Sequence, residues 1–211
     1  MAVYLLTEEC TFPDPHYGDP DGLIAVGGDL TIDRLILAYS NGIFPWPQEE
    51  DMLMWFCPMK RFVIFPNEIH ISHSMRNFIN NTNYSISFNK AFNEVIENCS
   101  EMRKGETWIF ENIKNAYIEL HKQGFAVSVE VWDEEENLVG GLYGVNLGKS
   151  FFGESMFSKK SNASKLALVA LANYMQDNGG VIIDCQMETP HLKSMGGRYI
   201  DYDEYMLLIR K

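Results

Sequence analysis

Phe125-Ala126-Val127-Ser128-Val129-Glu130-Val131-Trp132 alternates along its whole length. Phe125, Val127, Val129 and Val131 share one face, and Ala126, Ser128, Glu130 and Trp132 the other. A period of two over eight residues, rich in valine, predicts a β-strand. Reading outward, the acidic stretch Asp133 to Asn137 is a turn, and strands follow at 138–147 and 150–153. A strongly apolar segment over about 162–176 has helical spacing, and a strand follows at 181–185. On the other side, residues 84–88 read as a strand. Asn89 opens a helix carrying Phe92, Val95, Ile96 and Cys99 on one face. A second helix spans about 110–123, with Ile113, Ala116, Tyr117 and Leu120 in register and Gly124 as its stop. A short helix near 190–195 and a last strand–helix pair finish the chain.

The resulting order, β-α-α-β-β-β-α-β, resembles the acetyltransferase-like (GNAT) fold. There two central strands splay apart and the third helix aims its electropositive N-terminus into the cleft. Coenzyme A enzymes of this type carry a glycine-rich loop at that point. The equivalent segment here, Ser158 to Ser164, contains no glycine. The element order therefore suggests acyl transfer, while the loop argues against coenzyme A. Residues 12–28 are rich in Pro, Gly and Asp and read as turns. Thr31 caps a short helix ending before Gly42. Gly42-Ile43-Phe44-Pro45-Trp46-Pro47 is an aromatic loop stiffened by two prolines, and strands are predicted at 53–57 and 61–65. Composition and period change near residue 65. The expected class is α+β: a small N-terminal α/β domain over 1–65, then a GNAT-like mixed-sheet domain over 66–211.

The 211 residues are 46% apolar and 22% charged, enough to bury a real core and too ordered a mixture for disorder or coiled coil. The formal charge of −12 excludes general coating of nucleic acid. Its distribution is uneven: residues 1–51 hold ten acids and one base, Arg34, leaving 19 acids and 16 bases for residues 52–211. The densest basic cluster is Lys159, Lys160 and Lys165, with Lys149 near and Lys60, Arg61 and Arg76 as extensions. It sits at the expected start of the cleft helix, where phosphate is favoured. Val3 to Leu6 is too short for a signal sequence, and the longest apolar run, Leu166 to Ala172, is far short of a membrane span. Cys10, Cys57, Cys99 and Cys185 are widely spaced, and the five histidines lack ligand spacing, so neither disulfides nor metal are expected. The expectation is a soluble, reduced, cytoplasmic monomer that contacts no membrane.

Several blocks occur in order: Gly27-Gly28-Asp29-Leu30, Gly42-Ile43-Phe44-Pro45-Trp46, Thr107-Trp108-Ile109 and Val139-Gly140-Gly141-Leu142-Tyr143-Gly144-Val145. They continue with Gly153-Glu154-Ser155-Met156-Phe157-Ser158, Asn162-Ala163-Ser164-Lys165, Asp184-Cys185-Gln186 and His191-Leu192-Lys193-Ser194-Met195-Gly196. Together they resemble the leucyl/phenylalanyl-tRNA–protein transferase family, from about Phe12 onward. The departures are Phe56 and Cys57 within an otherwise typical Trp55 to Pro58 segment, and Met59-Lys60 before Arg61. The resemblance implies transfer of Leu or Phe, sometimes Met, from charged tRNA to the α-amine of proteins beginning with Arg or Lys, marking them for proteolysis. It implies no metal and no coenzyme.

The residue types suit that chemistry. An aminoacyl ester is already activated, and no P-loop is found. The nucleophile is an α-amine with a pKa of about 7.7–8.0, so a carboxylate that takes a proton helps. Asp184 is the first choice, with Gln186 two residues on projecting to the same side of an extended segment and holding the amine or ester oxygen. The plain alternative is a strand-end Asp satisfied by backbone. Glu154 pairs with a basic N-terminus or assists catalysis, or else forms a structural ion pair with Lys149 or Lys165. The resemblance makes Leu142, Phe151, Leu168 and Leu171 the wall of an apolar side-chain pocket; by themselves they would read as core. Trp46 and Trp108 are candidates for stacking the terminal adenosine, worth about 1–3 kcal/mol per base; Trp46 could equally plug the domain interface. Asn162 and Lys165 stand at the helix start, as binding residues for the tRNA 3′ end. Tyr117 reads as core packing or substrate contact. Two rival functions remain open at this point: a coenzyme A N-acetyltransferase, and a non-catalytic reader of basic N-termini.

Overall fold

The computed structural model describes residues 3–47, 49, 52–102 and 108–210; Thr107 of the third block lies outside them. The strands are β1 (Tyr4–Leu6), β2 (Leu23–Gly27), β3 (Phe44–Pro45), β4 (Met54–Phe56), β5 (Lys60–Ile64), β6 (Ser85–Phe88), β7 (Ala126–Trp132), β8 (Leu138–Leu147), β9 (Ser150–Ser158), β10 (Ile182–Asp184) and β11 (Arg198–Asp201). The helices are α1 (Ile32–Ser40), α2 (His73–Asn81), α3 (Phe92–Glu101), α4 (Glu111–Lys122), α5 (Ala163–Asp177), α6 (Pro190–Ser194) and α7 (Tyr202–Ile209).

A four-stranded sheet runs β1-β2-β4-β3, and a seven-stranded sheet runs β11-β5-β10-β9-β8-β7-β6. The order β6-α3-α4-β7-β8-β9-α5-β10 is the GNAT-like mixed α/β arrangement expected from the order of elements in the sequence. The change of sheet falls between Phe56 and Lys60, because β5 pairs antiparallel with both β10 and β11. The N-terminal sheet includes part of the aromatic segment expected as loop, since Phe44 and Pro45 pair with Phe56 and Trp55.

The central strands of the large sheet are buried on both faces, while its edge strands β6 and β11 are largely exposed. Val129 and Val131 join Val139, Leu142, Phe151 and the apolar stripe of α5. The opposite face packs under α3 and α4 and is continuous with the core of the N-terminal part, through Tyr39, Phe44, Trp55, Ile113 and Tyr117. Glu130 lies on that second face with no exposure. It is tolerated because Ser87 Oγ donates to it at 2.5 Å and the Lys90 and Ala91 N–H groups donate at 3.4 and 3.3 Å. Arg34, the only base among residues 1–51, is also buried, donating to the Thr7 and Glu9 carbonyls and to Asp29. It pins the N-terminal strand to α1.

Three local expectations are corrected. The helix after β6 starts at Phe92, while Asn89 takes φ 59° and accepts from the Ser128 N–H. Strand β9 runs on to Ser158 instead of stopping at Gly153. Arg61 is 1% exposed and belongs to no basic surface.

Candidate active site

The site exists because β9 and β10 part company. They pair in parallel from Ser150 opposite Ile182 to Phe152 opposite Asp184, and there the pairing ends. Beyond that point β9 continues six residues on β8 alone, while the chain after Asp184 turns away. Gln186 takes φ 57°, a left-handed conformation, so the segment is not extended as the sequence suggested. A cavity of about 570 Å³ opens in the gap. Its wall includes Trp46, Trp108, Met102, Leu142, Phe151, Leu168, Leu171 and Ile183. Glu154, Gln186 and His191 supply polar groups. Eight of the residues singled out from sequence thus converge: Trp46, Trp108, Leu142, Phe151, Leu168, Leu171, Glu154 and Gln186. Asp184, Asn162 and Lys165 do not line the wall. Asn162 caps α5 in the left-handed region without a side-chain hydrogen bond, and Ser164 of that turn is the residue that reaches the cavity.

Glu154 owes its place to a bulge. Gly153 faces Gly144 and Ser155 faces Tyr143, so Glu154 is an extra residue in β9 with no partner on β8. Its carboxylate accepts from Tyr39 OH at 2.7 Å and from Tyr117 OH at 3.0 Å. The two tyrosine hydroxyls also bond to each other. Neither Lys149 nor Lys165 pairs with it; the acid is held by neutral donors instead. Burial raises its pKa to about 7, against the opposing pull of the two tyrosines. Tyr117 is both core and site, and Tyr39, from α1, had no signal in the sequence beyond a helical register.

Asp184 is 1% exposed. One oxygen accepts from the Gln186 N–H at 2.9 Å; the other takes Tyr205 OH at 2.7 Å and lies 3.2 Å from Arg61 Nε. Burial pushes the acid upward, while Arg61, Tyr205 and the Gln186 N–H pull the other way. Arg61 is held charged: burial works against it, and Asp184, Tyr205 and Cys57 together more than offset that. Arg61 also donates to the Gly42 carbonyl and lies over the Phe44 and Tyr205 rings at 4.9 and 4.7 Å. This cluster ties the strand end, the N-terminal part and α7 together. It fixes the turn that presents Gln186, whose side-chain amide makes no hydrogen bond within the protein among the described residues. The Cys185 thiol also lines the cavity, but burial pushes its pKa up, so it is no thiolate nucleophile. His191 is kept neutral by burial and by Lys165.

The match to known proteins covers both parts of this arrangement. The family model of leucyl/phenylalanyl-tRNA protein transferase matches residues 63–210, and that of the family's N-terminal domain matches residues 28–59. The chain belongs to the leucyl/phenylalanyl-tRNA–protein transferase family. It is 48% identical over 212 residues to the leucyl/phenylalanyl-tRNA–protein transferase of Flavobacterium psychrophilum, covering 99% of this chain and all of the relative. Against that of Pseudomonas syringae pv. tomato it is 50% identical over 204 residues, covering 95% of this chain and 89% of the relative. Among solved structures it resembles FemX, with a TM-score of 0.51 at 10% identity, over 84% of this chain and 71% of that one. That likeness concerns the fold alone. No helix among the described residues is long and apolar enough to cross a membrane.

Proposed function

We propose that the chain transfers leucine or phenylalanine, and with them methionine, from aminoacyl-tRNA to the α-amine of proteins whose first residue is Arg or Lys. The observation that carries this reading is one cavity lined by two tryptophans, by apolar side chains and by a carboxylate with a pKa raised to about 7. Trp46 and Trp108 flank the terminal adenine. Leu142, Phe151, Leu168 and Leu171 take the uncharged side chain. A pocket of this kind separates near-isosteres by only about 1–3 kcal/mol per methylene, which suits acceptance of both Leu and Phe. Asn162 and Lys165, outside the wall, serve the tRNA's 3′-terminal phosphates.

Glu154 is the better placed of the two acids to meet the amine, since it lines the cavity and titrates near neutrality. As the amine attacks the ester carbon, its proton passes to Glu154, which returns it to the ribose oxygen as the ester C–O bond breaks, leaving a free ribose hydroxyl and Glu154 as carboxylate. Gln186 holds the reacting groups in line. Asp184 is a positioning residue: its hydrogen bond to the Gln186 N–H and its pairing with Arg61 fix the turn. A small N-terminal domain ending ahead of β5 and a GNAT-like domain from β5 onward divide the work, the first supplying Trp46 and Tyr39. The protein acts as a monomer. The coenzyme A reading is disfavoured by the glycine-free Ser158 to Ser164 segment, and the non-catalytic reader by the stacking tryptophans and apolar pocket, which it has no use for. Pure protein mixed with leucyl-tRNA and a peptide beginning with Arg should give leucyl-peptide by mass spectrometry. Failure to do so, with acetyl transfer from acetyl-coenzyme A in its place, would replace this reading.

A further inference from the structure

The cavity wall includes every residue from Gly153 to Ser158. That contiguity means that the wall is the edge of a strand, not only a set of side chains. The Lys159 N–H donates to the Val139 carbonyl, toward β8. By alternation the backbone groups of Ser158 and Met156 point the other way, into the gap. From the other end, the Val181 N–H donates to the Lys149 carbonyl, toward β10. The same alternation carries residue 151 and then Gly153 to that side. Phe151 meets Ile183 on β10, and the closing Phe152–Asp184 rung of the ladder takes up the Gly153 N–H on the Asp184 carbonyl, so the free edge begins beyond Gly153. A free strand edge is normally paired, covered or blunted by charge. This one is inside the cleft, with Glu154 in the same run, and none of the six residues is Lys, Arg or Pro.

We infer that the free edge of β9, through the backbone groups of Met156 and Ser158, binds the acceptor's first residues as an added β-strand. The inference rests on the acceptor being a polypeptide, as proposed above. An extended N-terminus laid on this edge places its α-amine at the Glu154 bulge and leads the rest of the chain out of the cleft past Ser158. Main-chain pairing binds any sequence, because every residue offers the same N–H and C=O groups at the same repeat. Selection is thereby left to the first residue, and the residues after it are held without being read.

The test uses the full-length protein, leucyl-tRNA, and peptides beginning with Arg that carry a single N-methyl amide at successive positions after the first. Strand pairing predicts an alternating profile. Methylation of the amides facing β9 lowers kcat/KM for the peptide roughly tenfold, the loss of about one hydrogen bond, and methylation of those between changes it less than threefold. Side-chain changes at the same positions have little effect, and KM for leucyl-tRNA stays constant. A flat profile, or losses that follow side-chain identity instead of amide position, overturns the inference while transfer to the unmethylated peptide leaves the proposed function standing. No transfer to the unmethylated peptide removes both.

Discussion

Glu154 is an acid whose environment sets its use. Two neutral phenols satisfy it, burial raises it to about 7, and among the described residues no cation forms an ion pair with it. Its carboxylate form, the one that takes a proton, grows as pH rises through 7, so transfer by the wild type should climb across that range. In Glu154→Gln that limb should disappear and kcat should fall by about 10²-fold or more, read from pH–rate profiles. The same shift has a stability side. A carboxyl with a raised folded pKa binds extra protons in the folded state between its unfolded value near 4.3 and about 7. Its contribution is present below that window and lost as pH rises through it. The melting temperature of Glu154→Gln relative to wild type should therefore be higher at pH 8 than at pH 4. Asp184 is the opposite kind of acid. In Asp184→Ala, Arg61 is left charged, buried and without its carboxylate, which costs about 3–5 kcal/mol. Denaturant unfolding should show that loss, and Asp184→Asn, which keeps the Gln186 N–H acceptor, a smaller one. Trp46→Ala or Trp108→Ala should raise KM for leucyl-tRNA by an amount worth about 1–3 kcal/mol, leaving unfolding midpoints nearly unchanged for these half-buried rings.

At the scale of elements, the residues that alternate or repeat at helical spacing were legible. The buried faces of α3 and α4 fall where Phe92, Val95, Ile96, Cys99, Ile113, Tyr117 and Leu120 put them. The sequence ends the strand at Gly153 because Glu154 and Ser155 break the period. That break is the bulge, and only the pairing with β8 shows that the strand continues beyond it. From sequence Arg61 belongs with the surface cations, because charge is usually solvated; only the return of β5 between β10 and β11 buries it against Asp184. Convergence of Trp46 and Trp108 on one cavity was legible through the family motifs, whereas Tyr39 was not, since its partner lies 115 residues away. The glycine block in β8 has a packing cause. A Cβ on Gly140 would sit 2.5 Å from the Ala163 Cβ at the start of α5. Gly140→Ala should push that helix off the sheet and cost about 1–3 kcal/mol, with a matching loss of transfer, since Leu168 and Leu171 ride on the same helix.

For the molecule as a whole, the charge asymmetry and the core point in different directions. Residues 1–51 carry ten acids against one base, yet the buried cluster runs without interruption from Ile24, Tyr39 and Trp55 into Tyr117, Tyr143 and Phe152. The N-terminal part is thus built into the same core as the catalytic sheet. Calorimetry should show one cooperative transition, and a chain beginning at β5 should fail to reach it. Such a protein need not coat tRNA; the proposed function asks it only to hold a single aminoacylated 3′ end beside Glu154. The most direct measurement is mass analysis of a peptide beginning with Arg after incubation with leucyl-tRNA and either wild-type protein or Glu154→Gln. The account predicts one leucyl residue added at the N-terminus by the wild type and at least a hundredfold slower addition by the variant. Equal rates for the two proteins, or no addition by the wild type, would contradict it.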